Sequence, residues 1–278
     1  MKTFVIDLTQ CVGCYCCQIA CKDEHVANDW TPYAKPQPET GQFWMGVKET
    51  VRGTVPRVKV SYLPSLCMHC EQAPCQEACP VEGAIYRRDD GLVIIDPEVC
   101  TGCRLCEESC PYDVLFFNEG LNIAQKCTGC AHLLDDGWQV PRCVDACPTD
   151  ALRFGEEEAL SDLIQEAEAY RPELGLKTRV HYLNLPKKFI GGTLFDPVAD
   201  EVLVGARCTL TDEESSETLT AQTDGYGDFW FKDLEDDRTF TLRLETEGAS
   251  TIIEGISTAT DVNLGDIALP AGFSERRP

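Results

Sequence analysis

Cys100-Thr101-Gly102-Cys103-Arg104-Leu105-Cys106-Glu107-Glu108-Ser109-Cys110-Pro111 sets four thiols and a closing proline in one short run. The spacing, C-x2-C-x2-C-x3-C-P, is that of half a bacterial two-cluster ferredoxin. Its first three thiolates grip one 4Fe–4S cubane and its fourth reaches across to the other. Cys11, Cys14, Cys17 and Cys21 repeat the run, with Lys22 where the proline would stand. Cys67, Cys70, Cys75 and Cys79, then Cys127, Cys130, Cys143 and Cys147, are looser versions closed by Pro80 and Pro148. Their longer spacings, between Cys70 and Cys75 and between Cys130 and Cys143, enlarge a loop without losing a ligand. All four quartets are complete, so four cubanes are expected and no three-iron cluster. Such a chain carries electrons.

Crossing of the fourth ligand predicts which cysteines share a cage. The outer quartets bracket the inner ones, so they pair with each other, as do the inner two. One cluster is then expected on Cys11, Cys14, Cys17 and Cys147, and a second on Cys21, Cys127, Cys130 and Cys143. A third takes Cys67, Cys70, Cys75 and Cys110, and a fourth Cys79, Cys100, Cys103 and Cys106. Zinc fits poorly, because its ligands come as two separated pairs. A secreted disulfide framework fits poorly too, since residues 1–10 hold no apolar stretch of signal-peptide length. Cys16 and Cys208 are left over. Cys16, beside Cys17, reads as a free thiol rather than an alternative ligand, and Cys208 alternates inward with Ala206 and Leu210 as a small core hydrophobe.

Charged neighbours of the quartets are candidates for tuning the clusters. Lys126 precedes Cys127, Arg104 follows Cys103 and Arg142 precedes Cys143, and each could raise a potential or simply pair with Asp and Glu at the surface. His69 and His132 lie inside complete quartets and read as hydrogen-bonding or packing residues. His25 and His181 have no ligand partners in sequence.

Asp and Glu outnumber Lys and Arg 47 to 24, which excludes nucleic acid as a natural partner and suits either plain solubility or the docking of a basic protein. No run approaches the roughly 20 apolar residues of a membrane span. The cytoplasm, or export with a partner bearing a twin-arginine signal, is the expected location.

The predicted fold class is α+β. Residues 1–155 form two ferredoxin-like modules, one nested in the other, with the inner one at about 61–118. Residues 3–7 and 114–118 read as strands, and 84–88 with 92–95 as a hairpin around Asp90-Gly91. Residues 14–23 and 103–110 read as helical turns. Residues 30–60, proline-rich and carrying Trp30, Tyr33, Phe43 and Trp44, read as a loop or a surface laid against a partner. Residues 156–188 are expected to join the domains, with a packing helix over 155–170, from Leu160, Leu163, Ile164 and Ala167 at helical spacing, followed by a linking arm over 172–188. From 189 to 278, seven short alternating strands point to a β-sandwich. With no nucleophile, base or metal constellation in view, the sandwich reads as an interaction or stabilising module.

The quartets with this nesting resemble the iron–sulfur β subunits of the dimethyl sulfoxide reductase family of molybdenum and tungsten enzymes. Cys67-Met68-His69-Cys70-Glu71, Ala73-Pro74-Cys75, Gln125-Lys126-Cys127-Thr128, Cys130-Ala131-His132-Leu133-Leu134-Asp135-Asp136 and Pro172-Glu173-Leu174-Gly175 look like the branch containing pyrogallol–phloroglucinol transhydroxylase and catechol dehydroxylases. The resemblance spans nearly the whole chain. It implies a transthyretin-like or collagen-adhesin B-like tail and a large partner subunit with a bis-pterin molybdenum or tungsten centre. It also implies a non-catalytic role for this chain, with electrons exchanged with an external donor or acceptor. In the transhydroxylase pattern the third quartet is eroded. Here it is intact, which points to net redox chemistry on a polyphenol, by reductive dehydroxylation or hydroxylation, beside transhydroxylation itself. The rivals are a respiratory sulfur-oxyanion or sulfoxide reductase, a formate dehydrogenase or hydrogenase, and a scaffold whose clusters only stabilise it.

Overall fold

Lys2–Asp7 is buried from Thr3 to Ile6, a continuous run that suits a strand covered on both faces. In the computed structural model, which describes residues 1–269, it organises a four-stranded sheet in the order Leu152–Glu156, Lys2–Asp7, Val180–Leu183, Glu168–Ala169. Leu152–Glu156 runs antiparallel to Lys2–Asp7, with Phe4 opposite Phe154, and Val180–Leu183 runs parallel to it, with Phe4 opposite Val180. Two small hairpins lie between these strands in sequence: Ile85–Arg87 with Val93–Ile95, and Phe116–Asn118 with Ile123–Gln125.

Three expectations change here. Residues 155–170 are not one helix. Strand pairing claims Gly155 and Glu156 at one end and Glu168–Ala169 at the other, leaving a 3-10 turn, Glu157–Leu160, and a short helix, Ser161–Glu166, with no fully buried residue. The expected linking arm at 172–188 supplies the strand Val180–Leu183, which lies inside the first sheet. Residues 30–60 are not a loop throughout: 31–45 hold only turns and a single bridge between Trp30 and Ala34, but the rest is ordered as strands. Trp44 and Met45 are buried, and Gly46–Thr54 pairs with Arg57–Ser65 as a hairpin.

By internal contacts the chain divides into residues 1–50 with 61–185, and residues 51–60 with those from Pro186 onward. No separate segment therefore stands at 156–188. The tip of the hairpin belongs to the second unit, where the Arg57 guanidinium, 3% exposed, meets Asp228, Thr193 and Asn263.

The second unit holds two four-stranded sheets. In one, Lys188–Asp196 pairs with Glu201–Val202, Asp228–Leu234 and, in parallel, Val262–Ala268. The other runs Thr218–Gln222, Arg207–Asp212, Thr239–Glu245, Ser250–Ser257. Ile190, Leu194, Phe229 and Phe231 from one sheet and Cys208, Leu210, Leu242 and Leu244 from the other share one buried core, each large side chain contributing about 1.5–3 kcal/mol. No single strand runs through 202–210, because Gly205 turns with φ +74° between Glu201–Val202 and Arg207–Asp212. Part of the expected sandwich, residues 270–278, lies outside the described residues.

Candidate metal centres

Each quartet places its third cysteine at the second position of a helix. Cys17 does so in Cys16–Val26, Cys75 in Pro74–Glu77, Cys106 in Leu105–Glu108 and Cys143 in Arg142–Asp145. The free N–H groups of a helix start favour a thiolate there, and the N–H groups of Gln18 and Glu107 hold Cys17 and Cys106 down against burial.

The residue before the second cysteine is left-handed in every quartet: Gly13 (φ +65°), Gly102 (+75°), Gly129 (+64°) and, with a side chain, His69 (+46°). This turn aims a backbone N–H at the first sulfur, from His69 to Cys67 at 3.4 Å, from Gly129 to Cys127 at 3.3 Å, and from Gly13 to Cys11. Three of the four positions are glycine because a Cβ would collide with Tyr62, Asn122 or Leu92. This cysteine–any–glycine–cysteine pattern is readable in the sequence, though the spacing of the cysteines alone does not reveal it.

Mutual repulsion of the thiols sorts them into groups. Burial first, then the charge on neighbours, pushes Cys17 up to about 12, and the neighbours are Cys11, Cys147 and Cys14. Cys143 is raised by burial and by Cys130, Cys21 and Cys127. Cys70 is pushed up to about 12 by burial, then by Cys67, Cys75 and Cys110, and Cys106 to about 11 by burial, then by Cys100, Cys103 and Cys79. Further couplings link these groups in series: Cys17 with Cys143, Cys75 with Cys106, and Cys67 with Cys127, where Cys67 is the leading thiol influence on Cys127. We name them the Cys14, Cys130, Cys70 and Cys103 groups, in that order. Exposure follows the same order. Cys14 and Cys103 are exposed at the two ends, while all four thiols of the Cys130 group, and three of the Cys70 group, are buried. Cys147 is held below its usual value, because the N–H groups of Thr149, Leu152 and Ala151 and the Thr149 hydroxyl outweigh its burial.

The donor set fits iron–sulfur cages. Cys67, Cys70, Cys75 and Cys110 line an apolar pocket with Met68, Ala73, Val93 and Leu115, so four sulfurs face one small space walled by hydrocarbon.

The remaining candidates separate clearly. Arg104 is exposed and paired with Glu107 and Glu119, both at 3.0 Å, and Arg142 pairs with Asp145 at 2.6 Å. Lys126 is 2% exposed and donates to the carbonyls of Val93 and Cys127. His69 accepts the Val93 N–H on Nδ1 at 3.0 Å, and His132 meets Glu24 at 3.1 Å and stacks on Trp30. His25, which has no ligand partner in sequence, is buried against Trp44 with Nε2 4.0 Å from the Cys130 sulfur. Burial holds its imidazole down to about 3, so it is neutral. Its place one helical turn after Cys21 is the signal that sequence reasoning misses. His181 is half-buried in Val180–Leu183.

Comparison with known proteins adds to this geometry. Residues 58–157 match the 4Fe-4S dicluster domain family. The chain is 38% identical over 275 residues to the pyrogallol hydroxytransferase small subunit of Pelobacter acidigallici, covering 95% of this chain and 98% of that one. It is 34% identical to a sulfite dehydrogenase subunit of Allochromatium vinosum (64% of this chain, 81% of that one). The putative dimethyl sulfoxide reductase iron-sulfur subunit of Halobacterium salinarum is also 34% identical (65% and 78%).

Proposed function

Because the chain belongs to the iron–sulfur electron-transfer subunits of the molybdopterin oxidoreductases, we propose that it is the relay of a complex whose large subunit acts on polyphenols. The observation that carries the relay is the serial order of the four thiol groups, buried in the middle and exposed at each end. The four groups would hold one 4Fe–4S cluster each, with the ligand sets predicted from the spacing. Each cluster supplies storage for one electron at a time. The chain's own residues do the rest: helix starts and left-handed turns aim N–H groups at the sulfurs, and burial sets the inner pair back from solvent. The chain itself is non-catalytic.

The polyphenol assignment rests on the extent of the likeness. The hydroxytransferase small subunit is matched along 95% of this chain, whereas the sulfite and dimethyl sulfoxide relatives match about two thirds. The intact third quartet favours net dehydroxylation or hydroxylation over transfer alone. We read the first unit as one ferredoxin-like module nested in another and the tail as a sandwich of the transthyretin-like or collagen-adhesin B-like type. The complex works in the cytoplasm, or outside it if the partner carries a twin-arginine signal. Among the described residues no helix is long and apolar enough to cross a membrane.

Isolation of the native complex under anaerobic conditions tests this reading. A co-purifying large subunit with pterin and molybdenum or tungsten, and turnover of a di- or trihydroxybenzene, are expected. A pterin partner that turns over a sulfur oxyanion or sulfoxide instead would favour the respiratory reductase. A complex with no pterin subunit would overturn the assignment.

A further inference from the structure

Lys126 is the one candidate tuning cation that is both buried and without a carboxylate. Its ammonium donates to the carbonyl of Val93, which lines the cavity of the Cys70 group, and to the carbonyl of Cys127, a thiol of the Cys130 group, at 3.1 Å. Among the described residues no Asp or Glu pairs with it, whereas Arg104 and Arg142 are largely neutralised by theirs. Burial raises both Cys75 and Cys127, and the Lys126 charge opposes it at both, one thiol in each group. In a dry interior an uncompensated charge acts over several ångströms with little screening.

We infer that Lys126 is a positioning residue for charge: one buried cation placed between the two inner groups, which raises the potentials of both their clusters together and keeps them level for electron passage. This rests on the relay reading above. The step involved is the gain of one electron by one cluster, delivered from its neighbour, with no bond made or broken in the chain. Because the cation faces both groups, it favours the added electron on either side and does not bias the transfer between them.

The test is a potentiometric titration of all four clusters by electron paramagnetic resonance in the purified complex, with iron content measured alongside. For Lys126→Met the reduced-to-oxidised ratio of both inner clusters at a fixed potential is expected to fall about tenfold, a shift of about 59 mV for one electron. The outer two should be unmoved. Lys126→Gln keeps a donor for the carbonyls but not the charge and should shift like Met, while Lys126→Arg should return both clusters toward the wild-type values. Unchanged inner potentials at full iron content, movement of only one inner cluster, wild-type behaviour of the Gln variant, or loss of iron in all three variants would overturn the inference. A wild-type complex whose clusters cannot be reduced at all would sink the relay itself, a separate outcome.

Discussion

Gly102→Ala is expected to empty one end of the relay and leave the rest intact. At φ +75° an L side chain costs about 1–2 kcal/mol, and a Cβ built here collides with the Asn122 backbone carbonyl oxygen and falls 2.6 Å from the Asn122 side-chain nitrogen. Backbone cannot swing aside as a side-chain tip can, so overpacking adds about 1–3 kcal/mol. The sum, about 2–5 kcal/mol, falls on the turn between Cys100 and Cys103, and even about 2 kcal/mol lowers retention of that cage roughly 30-fold. Gly83→Ala is the control. Its φ is +79°, but nothing lies within 4 Å of its Cβ, so it carries the backbone strain alone. Iron and sulfide analysis of anaerobically purified protein should show about four fewer irons per chain for Gly102→Ala and a full complement for Gly83→Ala. Equal iron in the two variants would refute the collision argument, since the clash is what distinguishes them.

Other outcomes follow from the same structure. Cys16 is exposed and Cys208 fully buried, with burial pushing the Cys208 thiol up to about 12. Iodoacetamide should therefore label Cys16 and spare Cys208 until denaturant is added, as mass spectrometry of the peptides would reveal. Cys16→Ser should keep every cluster, whereas Cys17→Ser should lose one, read as iron per chain. Arg57→Met strips Asp228 of its partner. Since Asp228 is one third exposed, the expected loss is about 2–3 kcal/mol, toward the lower end for a broken buried pair, visible as a lower chemical-denaturation midpoint. Asp212 is held down to about 2, first by the Ser215 N–H and then by Arg238. A carboxylate lowered on folding stabilises above its unfolded value near 3.8 and ceases to as pH falls through about 2. Hydrogen exchange in Arg207–Asp212 should thus separate wild type from Asp212→Asn at pH 6 and converge toward pH 2.

What could be read directly in the chain was what is local. Ligand spacing is a short-range property, so the quartets and the hairpin around Asp90-Gly91 were visible residue by residue. The strand Val180–Leu183 was not, because the partner that makes it a strand, Lys2–Asp7, lies at the opposite end of the chain. The spacing of Leu160, Leu163, Ile164 and Ala167 did suggest a helix, but pairing of Leu152–Glu156 and Glu168–Ala169 to the sheet outweighed that weak propensity. The hairpin Gly46–Thr54 with Arg57–Ser65 carries little apolar alternation, since most of the first strand is exposed, and its reason for forming sits in residues that come more than 130 positions later. Among the site residues, His25 and the left-handed glycines were within reach of spacing rules. That no carboxylate among the described residues pairs with Lys126 was not, because pairing is a property of the fold.

Arg57 leaves the ribosome long before its partners Thr193, Asp228 and Asn263 exist. During synthesis the hairpin tip must wait, solvated, until those acceptors are made. A gene cut short before Pro186 would therefore strand a cation evolved for burial, so the tail is no detachable accessory. Its arrival gives Arg57 the acceptors that the nascent protein has lacked since its first sixty residues.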